Sequence, residues 1–139
     1  MRRLDAYQQQ SPNWTRIEML LAAFDGVMDR VRLAQELIAA NDTWKAQPYL
    51  LRAQRIVLEL YSGLDLRHGE VPDNMGKLYL FVLHCIGMGE SLNLTAALDV
   101  LEIIRNGLNE VRDTANDLER RGLVPHAPYQ THILQDAAG

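Results

Sequence analysis

His84 and Cys85 are the side chains of this sequence best equipped for chemistry, one as a proton carrier or ligand and the other as a nucleophile. They are neighbours in the apolar run 78–86. Adjacent residues on a helix point about 100° apart, so the two cannot converge on one target. The run instead predicts a buried thiol at Cys85 and a surface position for His84. His126 and His132 have no cysteine or carboxylate at metal-ligand spacing around them, so no metal site is expected. Gly87-Met88-Gly89 lacks the preceding strand and the following Lys-Ser/Thr of a phosphate-binding loop. Glu102, Glu110, Asp113 and Asp117 alternate with Arg105 and Arg112, the pattern of a solvated helix face with i,i+3 pairs. No Glu-x-x-His pair is present to build a di-iron core. Neither catalytic residues nor a cofactor are expected.

The elements that carry these residues are helical throughout. Thr15-Arg16-Ile17-Glu18 fits a capping box. After it, Ile17, Leu20, Leu21, Phe24, Val27, Val31, Ala34 and Ile38 recur at three- and four-residue steps, which predicts a first helix of about 25 residues. Asn41-Asp42-Thr43 breaks that pattern and supplies fresh N-caps. A second stripe runs through Leu50, Ala53, Val57, Leu60 and Leu64, widened by Leu51, Ile56 and Tyr61. Pro48 suits a first helical turn, which places the regular part of this helix from Pro48, with Thr43 as an earlier possible start.

Gly and Pro mark 67–72 as a loop. A third helix then covers about 73–90, with Leu78, Tyr79, Val82, Cys85 and Ile86 as its inner face and Gly87 and Gly89 weakening its end. The fourth stripe is the longest: Leu94, Leu98, Leu101, Ile104, Leu108, Val111, Ala115 and Leu118 predict one helix of seven turns, stopped at Gly122. Four amphipathic helices on short loops predict an all-α, antiparallel four-helix bundle over 14–121. Residues 1–13 read as a flexible N-terminal arm and 122–139 as a flexible C-terminal extension.

Composition narrows the function classes. The chain has 139 residues, 47% of them hydrophobic, with a net charge of −4. Positive charge is not gathered into a stripe, so nucleic acid is not an expected partner. The single cysteine excludes an internal disulfide. Arg2 and Arg3 are not followed by the apolar run of a signal peptide, and no stretch approaches the ~20 apolar residues of a membrane span. A cytoplasmic protein is expected, with no membrane insertion and no small-molecule substrate.

With the helices placed, several motifs resemble one family in order. Ala6-Tyr7-Gln8-Gln9-Gln10-Ser11 is similar to the N-terminal Ala-Tyr-x-x-x-Ser/Thr segment of the flagellar secretion chaperones of flagellin, the FliS family. Phe24-Asp25-Gly26 stands where that family has Leu-Tyr-Asp-Gly. Leu51-x-Ala53-Gln54-x-Ile56-Val57-x-Glu59-Leu60 and Leu64-Asp65 resemble its second helix. Gly69-Glu70-Val71 with Asn74-Met75-x-x-Leu78-Tyr79 resembles its Gly-Glu-Ile…Asn-Leu-x-x-Leu-Tyr segment. The likeness covers about 4–112. The chain departs from the pattern at Thr15-Arg16, at Phe81, over 86–90 and at Arg105-Asn106-Gly107-Leu108.

This resemblance implies a binding protein that holds the disordered C-terminal segment of flagellin in an apolar groove before export, with other flagellar export components as further partners. It implies partner-binding positions at Tyr7, Gln8, Phe24, Leu50, Ala53, Gln54, Val57, Leu64 and Tyr79, with the arm around Tyr7 covering the groove until flagellin displaces it. Phe24, Val57, Leu60 and Leu64 serve equally well as plain core. Two other readings stay open. One is a phosphotransfer domain using His84, although the Lys and Gly such domains carry three and four places on are here Gly87 and Met88. The other is a bundle that associates with copies of itself.

Overall fold

The computed structural model describes residues 14–64 and 69–124. Among them the fold is all-α. Five helices pack helix on helix: α1 (Arg16–Ala39), α2 (Thr43–Ser62), α3 (Glu70–Met88), α4 (Ser91–Glu110) and the short α5 (Arg112–Arg120). The four long helices touch in a closed ring, α1 against α2 and α4, and α3 against α2 and α4, which gives a bundle-like body.

The stripes in the sequence become the core. Phe24, Val27 and Val31 of α1, Ile56 and Val57 of α2, Val82 and Ile86 of α3, and Leu94 and Leu101 of α4 are all fully buried. Phe24 reaches across the centre to Tyr79, their ring centroids 6.1 Å apart and their planes tilted by 43°, an arrangement favoured by the ring quadrupoles. Two polar clamps hold the α1–α4 seam. Arg105 Nε donates to Asp25 Oδ1 at 2.5 Å and its Nη2 to Oδ2 at 3.3 Å; Asp25 thereby favours the charged guanidinium and raises its pKa. Gln35 Nε2 donates to Thr95 Oγ1 at 2.9 Å and to the Ser91 carbonyl at 3.3 Å.

Several boundaries differ from the sequence expectation. α2 begins at Thr43, the earlier of the two starts the sequence allows, and carries Pro48 inside it. The Asp42 carbonyl receives the amides of Lys45 and Ala46, and Ala46 is fully buried, so the packing of this first turn outweighs the proline's missing donor. α3 starts at Glu70, within the segment expected to be loop, because Pro72 lies in its first turn, where no amide partner is needed. Gly89, in the left-handed region at φ 70°, ends α3 and lets the chain turn directly into α4. Leu78 and Leu51, both expected on inner faces, are 40% and 61% exposed.

The largest difference lies in the expected seven-turn fourth helix, which is two helices. α4 stops at Glu110, and Val111, about half exposed, separates it from α5. Gly107 and Asn109 weaken helix propensity before the break. Polar contacts then draw α5 onto the start of α1. Glu119, almost fully buried, accepts the Arg16 backbone N–H at 3.1 Å, so a residue more than a hundred positions away satisfies a free amide of α1. The Thr15 hydroxyl donates to Glu18 Oε1 at 2.9 Å and meets the Asn116 side chain, instead of forming the expected side-chain cap on the backbone. Arg120 completes the latch with an ion pair to Glu18 at 3.0 Å. Beyond α5 the expected stop at Gly122 is present: it adopts φ 73°, and the Leu123 amide reaches the Leu118 carbonyl at 2.9 Å.

Replacing Glu119 by Ala should cost about 1–2 kcal/mol, the usual worth of a helix N-cap. Amide hydrogen exchange should show protection lost over α5 and the first turn of α1 while α2 and α3 stay protected. Unchanged exchange in α5 would mean that its polar latch does not hold it.

Candidate partner-binding surface

α2 is amphipathic on one side and apolar again on part of the other. Leu50, Ala53, Val57 and Leu60 point into the core. On the outer face Trp44, Leu51 and Leu58 recur at intervals of seven residues, each more than half exposed. Seven residues advance about 10.5 Å, so these side chains form a straight apolar stripe some 20 Å long. Lys45, Arg52 and Arg55 flank it. Lys45 Nζ stacks over Trp44 at 5.7 Å from the ring centroid and the Arg52 guanidinium over Tyr49 at 5.9 Å, which keeps the aromatic edges of this face next to positive charge.

Gln54 sits half-buried between the stripe and α3. A Cβ at Gly87 would lie 3.2 Å from Gln54 Nε2, so the absence of a side chain at Gly87 is what lets α3 approach here. At the end of the bundle where α2 finishes, an apolar cavity of about 140 Å³ opens among Leu20, Leu60, Leu64, Met75, Tyr79 and Leu108. Beside it, Leu20 also lines a cleft of about 300 Å³ with Ile17, Ala115, Leu118 and Val124, under α5. A third, polar cleft of about 470 Å³ contains Asp25, Arg105 and Arg120, whose charges are occupied by the ion pairs already described.

Against this geometry the expected positions separate into groups. Phe24, Leu50, Ala53, Val57 and Tyr79 lie in the closed core, with Tyr79 also bordering the end cavity. Leu64 is half-buried on that cavity, and Gln54 half-buried on the α2–α3 seam. Tyr7 and Gln8 lie outside the described residues, as do His126 and His132. The outer stripe was not among the expected positions. Its signal is present in the sequence as the spacing 44, 51, 58, but Leu51 in that spacing also extends the inner pattern of α2, and only burial separates the two faces.

His84 is exposed on α3, and Cys85 beside it is 3% exposed, as helical divergence predicts. Burial pushes the Cys85 thiol above its ordinary range, which keeps it protonated and unreactive. Met19 and Met28 fill core positions, and Met88 is half exposed. Among the described residues no cluster of His, Cys, Asp and Glu is arranged to hold a metal ion, and no helix is long and apolar enough to cross a membrane.

Comparison with known proteins follows the same line. The family model described as flagellar protein FliS matches residues 2–120. The flagellar secretion chaperone FliS of Bacillus subtilis (strain 168) is 32% identical over 98 residues, which cover 70% of this chain and 73% of that protein. No solved structure matches the chain.

Proposed function

Because the chain belongs to the FliS family of flagellar proteins, we propose that it is a non-enzymatic export chaperone that binds the C-terminal segment of flagellin in the cytoplasm. The observation that carries this reading is the stripe Trp44, Leu51 and Leu58, exposed on a helix whose opposite face is already packed. A partner segment that folds into an amphipathic helix presents anchors at i, i+3/i+4 and i+7, which match a row of this pitch. The segment lies along the α2–α3 seam over Gln54 and reaches the end cavity at Leu64 and Tyr79. Phe24, Leu50, Ala53 and Val57 form the floor beneath it, and the arm carrying Tyr7 and Gln8 covers the seam in the free protein. The long helices run antiparallel in this arrangement. A segment that folds only on binding gives up several kcal/mol to ordering, which keeps a large interface releasable for export.

Calorimetry with the C-terminal peptide of the cognate flagellin tests this. Leu51→Glu combined with Leu58→Glu alters only exposed positions and should leave the melting temperature unchanged while weakening binding by about tenfold or more. Equal binding by the variant, or no binding by the wild type, overturns the reading. His84→Gln should leave binding unchanged. Transfer of phosphate between a response regulator and the wild type, lost in His84→Gln, would establish the phosphotransfer alternative instead.

A further inference from the structure

The outer face of the helical hairpin α3–α4 is a second apolar surface, built differently from the stripe on α2. On α3, Leu78, Phe81 and Met88 share one flank and are 40%, 44% and 51% exposed; on α4, Leu92 and Ile103 are 85% and 72% exposed. Gly89 turns α3 straight into α4, so helical phase sets Met88 opposite Leu92 and Leu78 opposite Ile103. Between these large side chains the α4 positions on the flank toward α3 include half-buried Ala96 and Val100. The result is a shallow trough with bulky walls and a low floor. Scattered exposed leucines are ordinary on a protein surface, but a contiguous row of this kind marks an interaction site.

The exposed charge on the α4 side of the trough has one sign. Glu90, Asp99, Glu102 and Glu110 are all exposed on or next to α4. The basic residues between Glu70 and Glu110 are Lys77, ion-paired with Asp73 at 3.3 Å, and Arg105, engaged by Asp25 at 2.5 Å. The stripe on α2 has the opposite setting, with Lys45, Arg52 and Arg55 beside it. From this pairing of an apolar trough with an acidic rim we infer that the α3–α4 face docks a basic amphipathic helix of a second partner protein, distinct from the segment bound on α2. Leucine-like anchors of that helix enter between Phe81 and Ile103, and its flanking Lys or Arg side chains meet Asp99, Glu102 and Glu110. A second copy of this chain is a poor occupant, because two such faces brought together would oppose acid to acid. The charge difference between the two surfaces sorts their partners, since like-charged juxtaposition rejects the wrong one. The inference concerns a different face from the flagellin reading, and only its claim of two distinct partners rests on that reading.

The test uses the full chain and two synthetic 18-residue helices, both with leucines at i, i+3/i+4 and i+7, one flanked by lysines and the other by glutamates. Calorimetry should show the lysine helix binding, at least about tenfold more tightly than the glutamate helix, with affinity falling as salt rises. Asp99→Lys with Glu102→Lys changes exposed side chains only, and it should weaken the lysine helix about tenfold while circular dichroism and flagellin-peptide binding stay the same. Saturating flagellin C-terminal peptide should not displace the lysine helix. Four results overturn the inference: no binding of the lysine helix, equal binding of the two helices, equal binding by the charge-reversal variant, or displacement by the flagellin peptide. So does sedimentation showing a wild-type dimer that Ile103→Asp dissociates, since the face would then belong to a second copy.

Discussion

Phe24→Ala should destabilise the protein by about 3–5 kcal/mol, the largest effect of any single substitution considered. Phe24 is fully buried at the centre of α1 and is the side chain that meets Tyr79 across the bundle. Its removal takes away the apolar burial of a whole ring and leaves a void between α1 and α3 that fixed helices cannot close. A domain of this size is stable by only about 5–15 kcal/mol, so the variant should unfold at a much lower urea concentration and lie close to the edge of folding. Phe24→Leu, which keeps most of the volume, should cost less than about 1.5–2 kcal/mol. A loss below 1 kcal/mol for the alanine variant would mean that the centre of the bundle is not packed as described. Because Phe24 also lies beneath the proposed flagellin seam, the leucine variant separates the two roles: it should remain folded and still bind the peptide.

Leu101→Ala should cost about 3–4 kcal/mol and Leu108→Ala about 1–2 kcal/mol, although the two leucines hold equivalent places in one stripe. Leu101 is fully buried at the middle of α4. Leu108, two residues from the end of the same helix, is half-buried and already borders the 140 Å³ cavity. Shortening a side chain beside existing empty space removes fewer contacts than cutting one out of close-packed surroundings. Urea titrations of both variants measure the difference directly. Equal losses would show that the end of the bundle is packed as tightly as its middle, and the cavity beside Leu64 and Tyr79 would then have no part in binding.

The sequence alone was sufficient for the helical stripes and for most of the core, because both follow from local spacing. Phe24, Val27, Val31, Val57, Val82 and Leu101 stand at three- and four-residue steps, and any helix carrying them must bury that side. The motifs around Asp25-Gly26 and Leu51–Leu60 likewise pointed to the family that the comparisons show. What the sequence could not decide is how a pattern is used when two answers share it. The stripe from Leu94 to Leu118 is compatible with one straight helix. The break at Val111 is favoured because Glu119, Asn116 and Arg120 find partners on Thr15, Arg16 and Glu18, residues adjacent only after folding. Pro48 and Thr43 are both plausible helix starts by local rules, and the burial of Ala46 selects Thr43. Leu51 and Leu78 fit the inner faces of their helices by period, yet both face outward, because a helix in a ring of four has two neighbours whose positions set the angular width of its buried side. Periodicity is a property of the chain and can be read from it. Which face is covered, and how far, depends on what packs there, and tertiary structure alone settles that.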